Sequence, residues 1–194
     1  MKTFLLLFLI ALPTHLFSQC PPYGKTDDPK ERTLNVAKNK SAKYNASKTP
    51  TNVPLNTVIT SRKEDDRNKF FPGAYVTVEG YLIDKTEEGG ETCNCGLANA
   101  SKKTGDVHIY IGLVPNAAKK NCMVVEITPS YKKLHPDYDQ SLVKNKKVKV
   151  EGYLLYDYLH ERNSVNFCNK CTGKAIWRKT CWEIHPVVKF DLLN

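Results

Sequence analysis

Five residues stand out for the chemistry that their types and spacing allow: Asp106 and His108 in an Asp-x-His pair, Glu126, and Glu183 and His185 in a Glu-x-His pair. Brought to one patch, two imidazoles and three carboxylates offer the nitrogen and oxygen donors that zinc or another divalent ion takes. In that reading Asp106, His108, Glu126 and His185 are ligands, and Glu183 is a base. The ion lowers the pKa of a bound water and supports hydrolysis of a phosphodiester or a peptide. Each pair is a weak motif alone, and what raises its weight is occurrence on neighbouring strands. The competing reading is a solvated or structurally hydrogen-bonded patch, since outward strand positions are polar in any case and surface ion pairs contribute little.

A second set suits an extended anionic ligand. Tyr81, Tyr110 and Tyr153, with Tyr156 and Tyr158, offer rings on which bases or sugars stack, while Lys149, Arg162 and Arg178 offer cations for phosphates or carboxylates. Against this, tyrosines on strands are ordinary β-formers. Neither a Ser-His-Asp nor a Cys-His arrangement is found, and Gly89-Gly90 is a loop signal, with no phosphate-cradling context.

The elements that must position these residues follow from period-two alternation. Strands are predicted over Gly73–Asp84, Asp106–Leu113, Cys122–Thr128, Lys147–Asp157 and Ala175–Val188. Val76, Val78, Leu82, Val107, Ile109, Ile111, Met123, Val125, Ile127, Trp182 and Ile184 point inward. Asp106, His108, Tyr110, Cys122, Glu126, Cys181, Glu183 and His185 lie on the outer, solvent-facing side. The segment Ser130–Lys146 reads as an irregular connection with a short helix. Five strands with that insertion between the third and fourth give an all-β, OB-fold-like Greek-key barrel. Val76–Leu82 is echoed by Val148–Leu154, each with a central glycine that suits a bend or bulge. Setting Cys122 beside Cys181 on the parallel third and fifth strands places Glu126 beside His185.

These motifs, Val-Glu-Gly-Tyr at 78–81 and 150–153, Asp-x-His-Ile at 106–109, Val-Glu-Ile-x-Pro at 125–129 and Trp-Glu-Ile-His-Pro-Val at 182–187, resemble a group of exported bacterial OB-fold domains. The resemblance covers Gly73–Lys189 and implies the fold and a binding role, without an activity. The catalytic arginine and acid pattern of the thermonuclease type of OB-fold enzyme is not matched.

Residues 1–18 read as a secretory signal peptide, with Lys2, an apolar run Phe4–Leu12 and a cleavage site after Ser18. Residues 19–69 are polar and aperiodic and are expected to be a basic, disordered linker, with a short strand or helix at Leu55–Ile59; residues 70–194 are the domain. The formal charge of +9 favours polyanions, and eleven Lys and Arg against six Asp and Glu fall between Gln19 and Pro72. Seven cysteines in an exported chain argue for disulfides among Cys93, Cys95, Cys122, Cys168, Cys171 and Cys181, with Cys20 left over and Cys122–Cys181 attractive across adjacent strands. Structural zinc on the Cys-x-Cys and Cys-x-x-Cys pairs is the alternative. The function expected is that of a secreted or periplasmic, monomeric module without a membrane span after signal removal, binding nucleic acid or an acidic glycan. A metal-dependent, nuclease-like hydrolase and a protein-interaction or inhibitory module are the alternatives.

Overall fold

The computed structural model describes residues 20–40, 42–61, 71–88, 90–96, 105–168 and 175–193. The expected signal peptide, Cys171 and the stretch 62–70 lie outside the described residues.

Five strands close into a barrel: β2 (Tyr75–Glu87), β3 (Val107–Gly112), β4 (Met123–Ile127), β5 (Lys147–Tyr156) and β6 (Trp182–Leu192). Neighbours run in the order β2-β3-β4-β6-β5, and β5 pairs back onto β2; of these five barrel strands β4 and β6 alone pair in parallel. This is the OB-fold, with the short helix α3 (Pro129–Leu134) between its third and fourth barrel strands. Thr128 caps α3 by accepting from the Tyr131 backbone N–H, and Pro129 occupies the first turn, where a missing donor costs nothing. Residues expected inside are inside: Val76, Val78, Leu82, Val107, Ile109, Ile111, Met123, Val125, Ile127, Trp182 and Ile184 form one apolar core.

The two echoed segments are cross-strand neighbours, with Val76 opposite Gly152, Val78 opposite Val150 and Gly80 opposite Val148. They therefore build one sheet of one barrel. Their glycines serve different ends. At Gly152 the β5–β6 register shifts, and a Cβ there would overlap Ile184 and the Pro186 carbonyl, so only glycine lets β6 pass so close. Around Gly80 the pairing with β5 is regular; a Cβ there would lie 2.5 Å from Ile111 and 2.6 Å from Leu55. The β2 irregularity falls instead between Leu82 and Asp84.

Two expectations need correction. The last strand begins at Trp182, and the residues before it form a loop whose Arg178 bridges to Ser164. The larger correction concerns the expected linker: residues 20–40 and 42–61 are folded onto the barrel. Helix α1 (Pro29–Lys38) starts at Asp28, whose side chain accepts from the backbone N–H groups of Lys30 and Glu31. Strand β1 (Thr51–Asn52) pairs parallel with the edge of β2, and helix α2 (Leu55–Thr60) sends Leu55, Val58 and Ile59 into the main core with Ala42 and Val53. Leu55, Val58 and Ile59 share one face of α2, but six residues are too short to establish a period, and Ala42 and Val53 fill gaps on the barrel singly.

Candidate functional site

The β4–β6 register sets Val124 beside Glu183 and Val125 beside Ile184, which carries Glu126 to His185. The β3–β4 register sets His108 opposite Glu126. Asp106, His108, Glu126, Glu183 and His185 therefore share one face. That face is not solvated, as the alternation alone suggests, because Asp106 and His185 are 2% exposed and the other three 0%.

Three pieces of chain cover it. From one side comes the loop after β2, with Glu88, Glu91 and Cys93. From the other comes the segment between β5 and β6, with Asp157, His160, Trp177 and Arg178. Over the top lies the end of α1, with Lys38. The Trp177 ring stacks on His108, 5.5 Å between centroids at 24°, and stands edge-on to Tyr110 and His160. The first loop is tied to α1: Asn35 donates to Thr92 Oγ1, Asn39 donates to the Cys93 carbonyl, and a Cys20–Cys95 disulfide crosses between them. The second segment is tied to α2 through Asn166, which donates to the carbonyls of Ile59 and Ser61.

Beneath this cover the charged groups form a chain of contacts. Lys38 Nζ lies 2.8 Å from Asp157 and 3.1 Å from Glu91. His108 Nδ1 is 2.9 Å from Glu88 and its Nε2 2.8 Å from Glu126 Oε1. The other oxygen of Glu126 is 2.8 Å from His185 Nδ1, which is also 3.4 Å from Glu183. Glu183 in turn holds Arg178 at 2.7 Å. Asn94 donates to Asp106 Oδ2, while Asp106 Oδ1 has no hydrogen-bond partner.

Burial would empty these groups of charge, and their mutual field reverses it for most. For His108, burial alone lowers the imidazole pKa, but Glu126 and Glu88 outweigh it and carry it up to about 10. His185 is likewise raised well above the usual imidazole value, burial being outweighed by Glu126 and Glu183. Asp157 is held down at about 2, the burial penalty being overcome by Lys38, His160 and Arg178. Asp106 is the exception: burial raises it to about 6 despite the opposing pull of His185.

The stacking set fares differently. Tyr110 and Arg178 are buried under the cover and inside the network, and Tyr156 is packed edge-on to Trp182 in the core, so none is a surface contact for a polymer. Tyr158 carries Lys30 over its ring, Tyr81 is half-buried and Arg162 exposed. Tyr153 and Lys149 lie on β5 outside the barrel. Tyr153 packs on its cross-strand neighbour Tyr75 at 5.4 Å, and Lys40 and Lys48 from the N-terminal segment stand over its ring at 5.0 and 5.5 Å.

Cysteine expectations change too. Cys20 is paired with Cys95, and Cys168 is disulfide-bonded, but Cys93, Cys122 and Cys181 are buried free thiols. Cys122 and Cys181 each stand one residue before their neighbouring strands, β4 and β6, as thiols, so the attractive register forms no bridge. Sequence reasoning missed Lys38, Glu88, Glu91, Asp157 and the lid role of Trp177, because all come from loops or from a helix with little apolar content.

No protein-family model matches the chain, and no curated protein matches it in sequence. Among solved structures it is similar to the Entamoeba histolytica asparaginyl-tRNA synthetase in complex with asparaginyl-adenylate, at 14% identity and a TM-score of 0.37. That likeness covers 75% of this chain, which spans only 24% of the synthetase.

Proposed function

We propose that the chain is an exported OB-fold binding module for an extended anionic ligand, single-stranded nucleic acid first and an acidic glycan second, read at the Tyr75–Tyr153 surface. The observation that carries this reading is the pair of lysines held over Tyr153. Lys48 donates to the Tyr153 hydroxyl at 3.1 Å, and among the described residues neither Lys40 nor Lys48 has a carboxylate partner. A ring pair beside two cations without a carboxylate partner is the combination that single strands use, stacking bases on aromatic faces and tracking phosphates with lysines. Tyr44, 47% exposed, belongs to the same segment and widens the aromatic surface. The face that small barrels of this kind commonly offer is closed here and rich in carboxylates, which repels a polyanion. Export is supported by the Cys20–Cys95 bridge, since disulfides persist in oxidising compartments, and by the leader-like residues 1–18. Among the described residues no helix is long and apolar enough to cross a membrane.

The test is binding of a fluorescent oligothymidine to the mature chain across a salt series. Tyr153→Ala is expected to weaken binding by about 1–3 kcal/mol. The double variant Lys40→Ala/Lys48→Ala should flatten the log affinity against log salt slope by about 1.4. Stronger binding to heparin than to DNA, lost in the same variants, selects the glycan. Affinity unchanged in both variants removes this surface as the reader.

A further inference from the structure

We propose that Asp106, Glu126 and His185 bind one divalent transition ion of the zinc class beneath the cover, a site independent of the polyanion surface. One donor atom from each of these three buried residues lies within 4.8 Å of the other two. Two further triads adjoin it, Glu91–His108–Glu126 and Glu91–Cys93–Asp106, so carboxylates shared between triads link nitrogen, oxygen and sulfur donors in one cluster.

Glu126 is shared between two imidazoles, its Oε2 2.8 Å from His185 Nδ1 and its Oε1 2.8 Å from His108 Nε2. Asp106, in the same triad and 2% exposed, keeps its Oδ1 without a hydrogen-bond partner. Buried polar atoms are ordinarily satisfied, so an orphaned carboxylate oxygen beside a shared carboxylate marks a place where something else is bound. Four fully buried carboxylates, Asp106, Glu126, Asp157 and Glu183, face two buried permanent cations, Lys38 and Arg178, and two buried imidazoles. An ion entering beside His185 therefore takes the place of the proton on that imidazole.

Donor chemistry chooses the class. Calcium takes six to eight oxygens and magnesium keeps several waters, whereas imidazole with carboxylate, and a thiol close by, suits zinc, cobalt or nickel. Donors around a tetrahedral zinc at about 2.0–2.1 Å sit roughly 3.3 Å apart, so the Glu126–His185 approach widens by about half an ångström on loading. With its three ligands buried the ion ties β4 and β6 to the residue that precedes β3; a polymer cannot reach it. The site is therefore structural, which separates it from the hydrolase reading of the same residues.

The test uses the full mature chain, stripped with chelator and titrated with cobalt(II) chloride. One equivalent should give the visible absorption bands of nitrogen- and oxygen-ligated cobalt, be displaced by one equivalent of zinc chloride, and raise the melting temperature. Magnesium and calcium at the same concentration should do neither. Asp106→Asn and His185→Gln should each weaken cobalt binding at least tenfold, while His135→Ala, remote from the cluster, should bind as the parent does. Should either variant fail to fold, an anomalous difference map from parent crystals grown with zinc decides, with a peak between Asp106, Glu126 and His185 expected. Absence of stoichiometric cobalt bands, retention of metal by both folded variants, or an anomalous peak elsewhere overturns the proposal.

Discussion

Lys38 shows how much rests on single side chains beneath the cover. It is 3% exposed at the end of α1, and its ammonium spans Asp157 and Glu91, two carboxylates from the two covering loops. Truncating one member of a buried pair strands the other's charge, so Lys38→Met is expected to cost about 3–5 kcal/mol in urea unfolding. Adding Asp157→Asn should recover part of that loss, whereas additive losses would mean that the two do not interact. The pair also sets a pH window. Asp157 is lowered in the folded chain from 3.8 to about 2, so its contribution is present above pH 4 and fades as the pH falls toward 2. Acid melting should therefore be steeper in the parent than in the double variant between those limits, by on the order of 2 kcal/mol. Equal slopes would contradict the assigned partner. At this scale the sequence was readable for Asp106, His108, Glu126, Glu183 and His185, because alternation places each on the same side of its strand. It was silent on Lys38, whose neighbours along the chain are polar and whose partners lie 53 and 119 residues away.

Among the elements, the strands carry the legible part of the fold. Three of the five barrel strands match their predicted bounds within a residue or so at each end, and the parallel β4–β6 register follows from setting Cys122 beside Cys181. What alternation could not supply was the covering layer, since loops and one short helix have no period. A local signal for α1 is present, since Asp28 followed by Pro29, with Glu31 in the first turn, is an N-terminal cap, but the low apolar content of the helix leaves no period beside it. Gly152 is the element-level position most sensitive to change. Gly152→Ala places a methyl group against Ile184 and the Pro186 carbonyl where β5 and β6 shift register, and overpacking there should cost about 1–3 kcal/mol or more. A variant as stable as the parent by thermal melting would show that β6 is free to move away.

For the molecule as a whole, the N-terminal segment is part of the domain. Val53, Leu55, Val58 and Ile59 are buried in the barrel core, and at roughly 1.5–3 kcal/mol per fully buried side chain they contribute on the order of 6–12 kcal/mol. That is comparable with the entire net stability of a typical domain. A chain lacking residues 20–61 is therefore expected to lose its cooperative melt by circular dichroism; an unchanged midpoint would restore the linker reading. The same packing seals the carboxylate-rich face and leaves the Tyr75–Tyr153 surface with Lys40 and Lys48 outside. Hydroxyl-radical footprinting of the chain from residue 19 onward, read residue by residue with and without oligothymidine, tests both halves of that statement at once. Tyr44 should be oxidised readily and Tyr153 moderately, both protected by the oligonucleotide, while His108, Tyr110 and His185 stay unmodified throughout. Oxidation of His108 and His185 at the rate of Tyr44, or protection that falls on Trp177 and spares Tyr153, would contradict it.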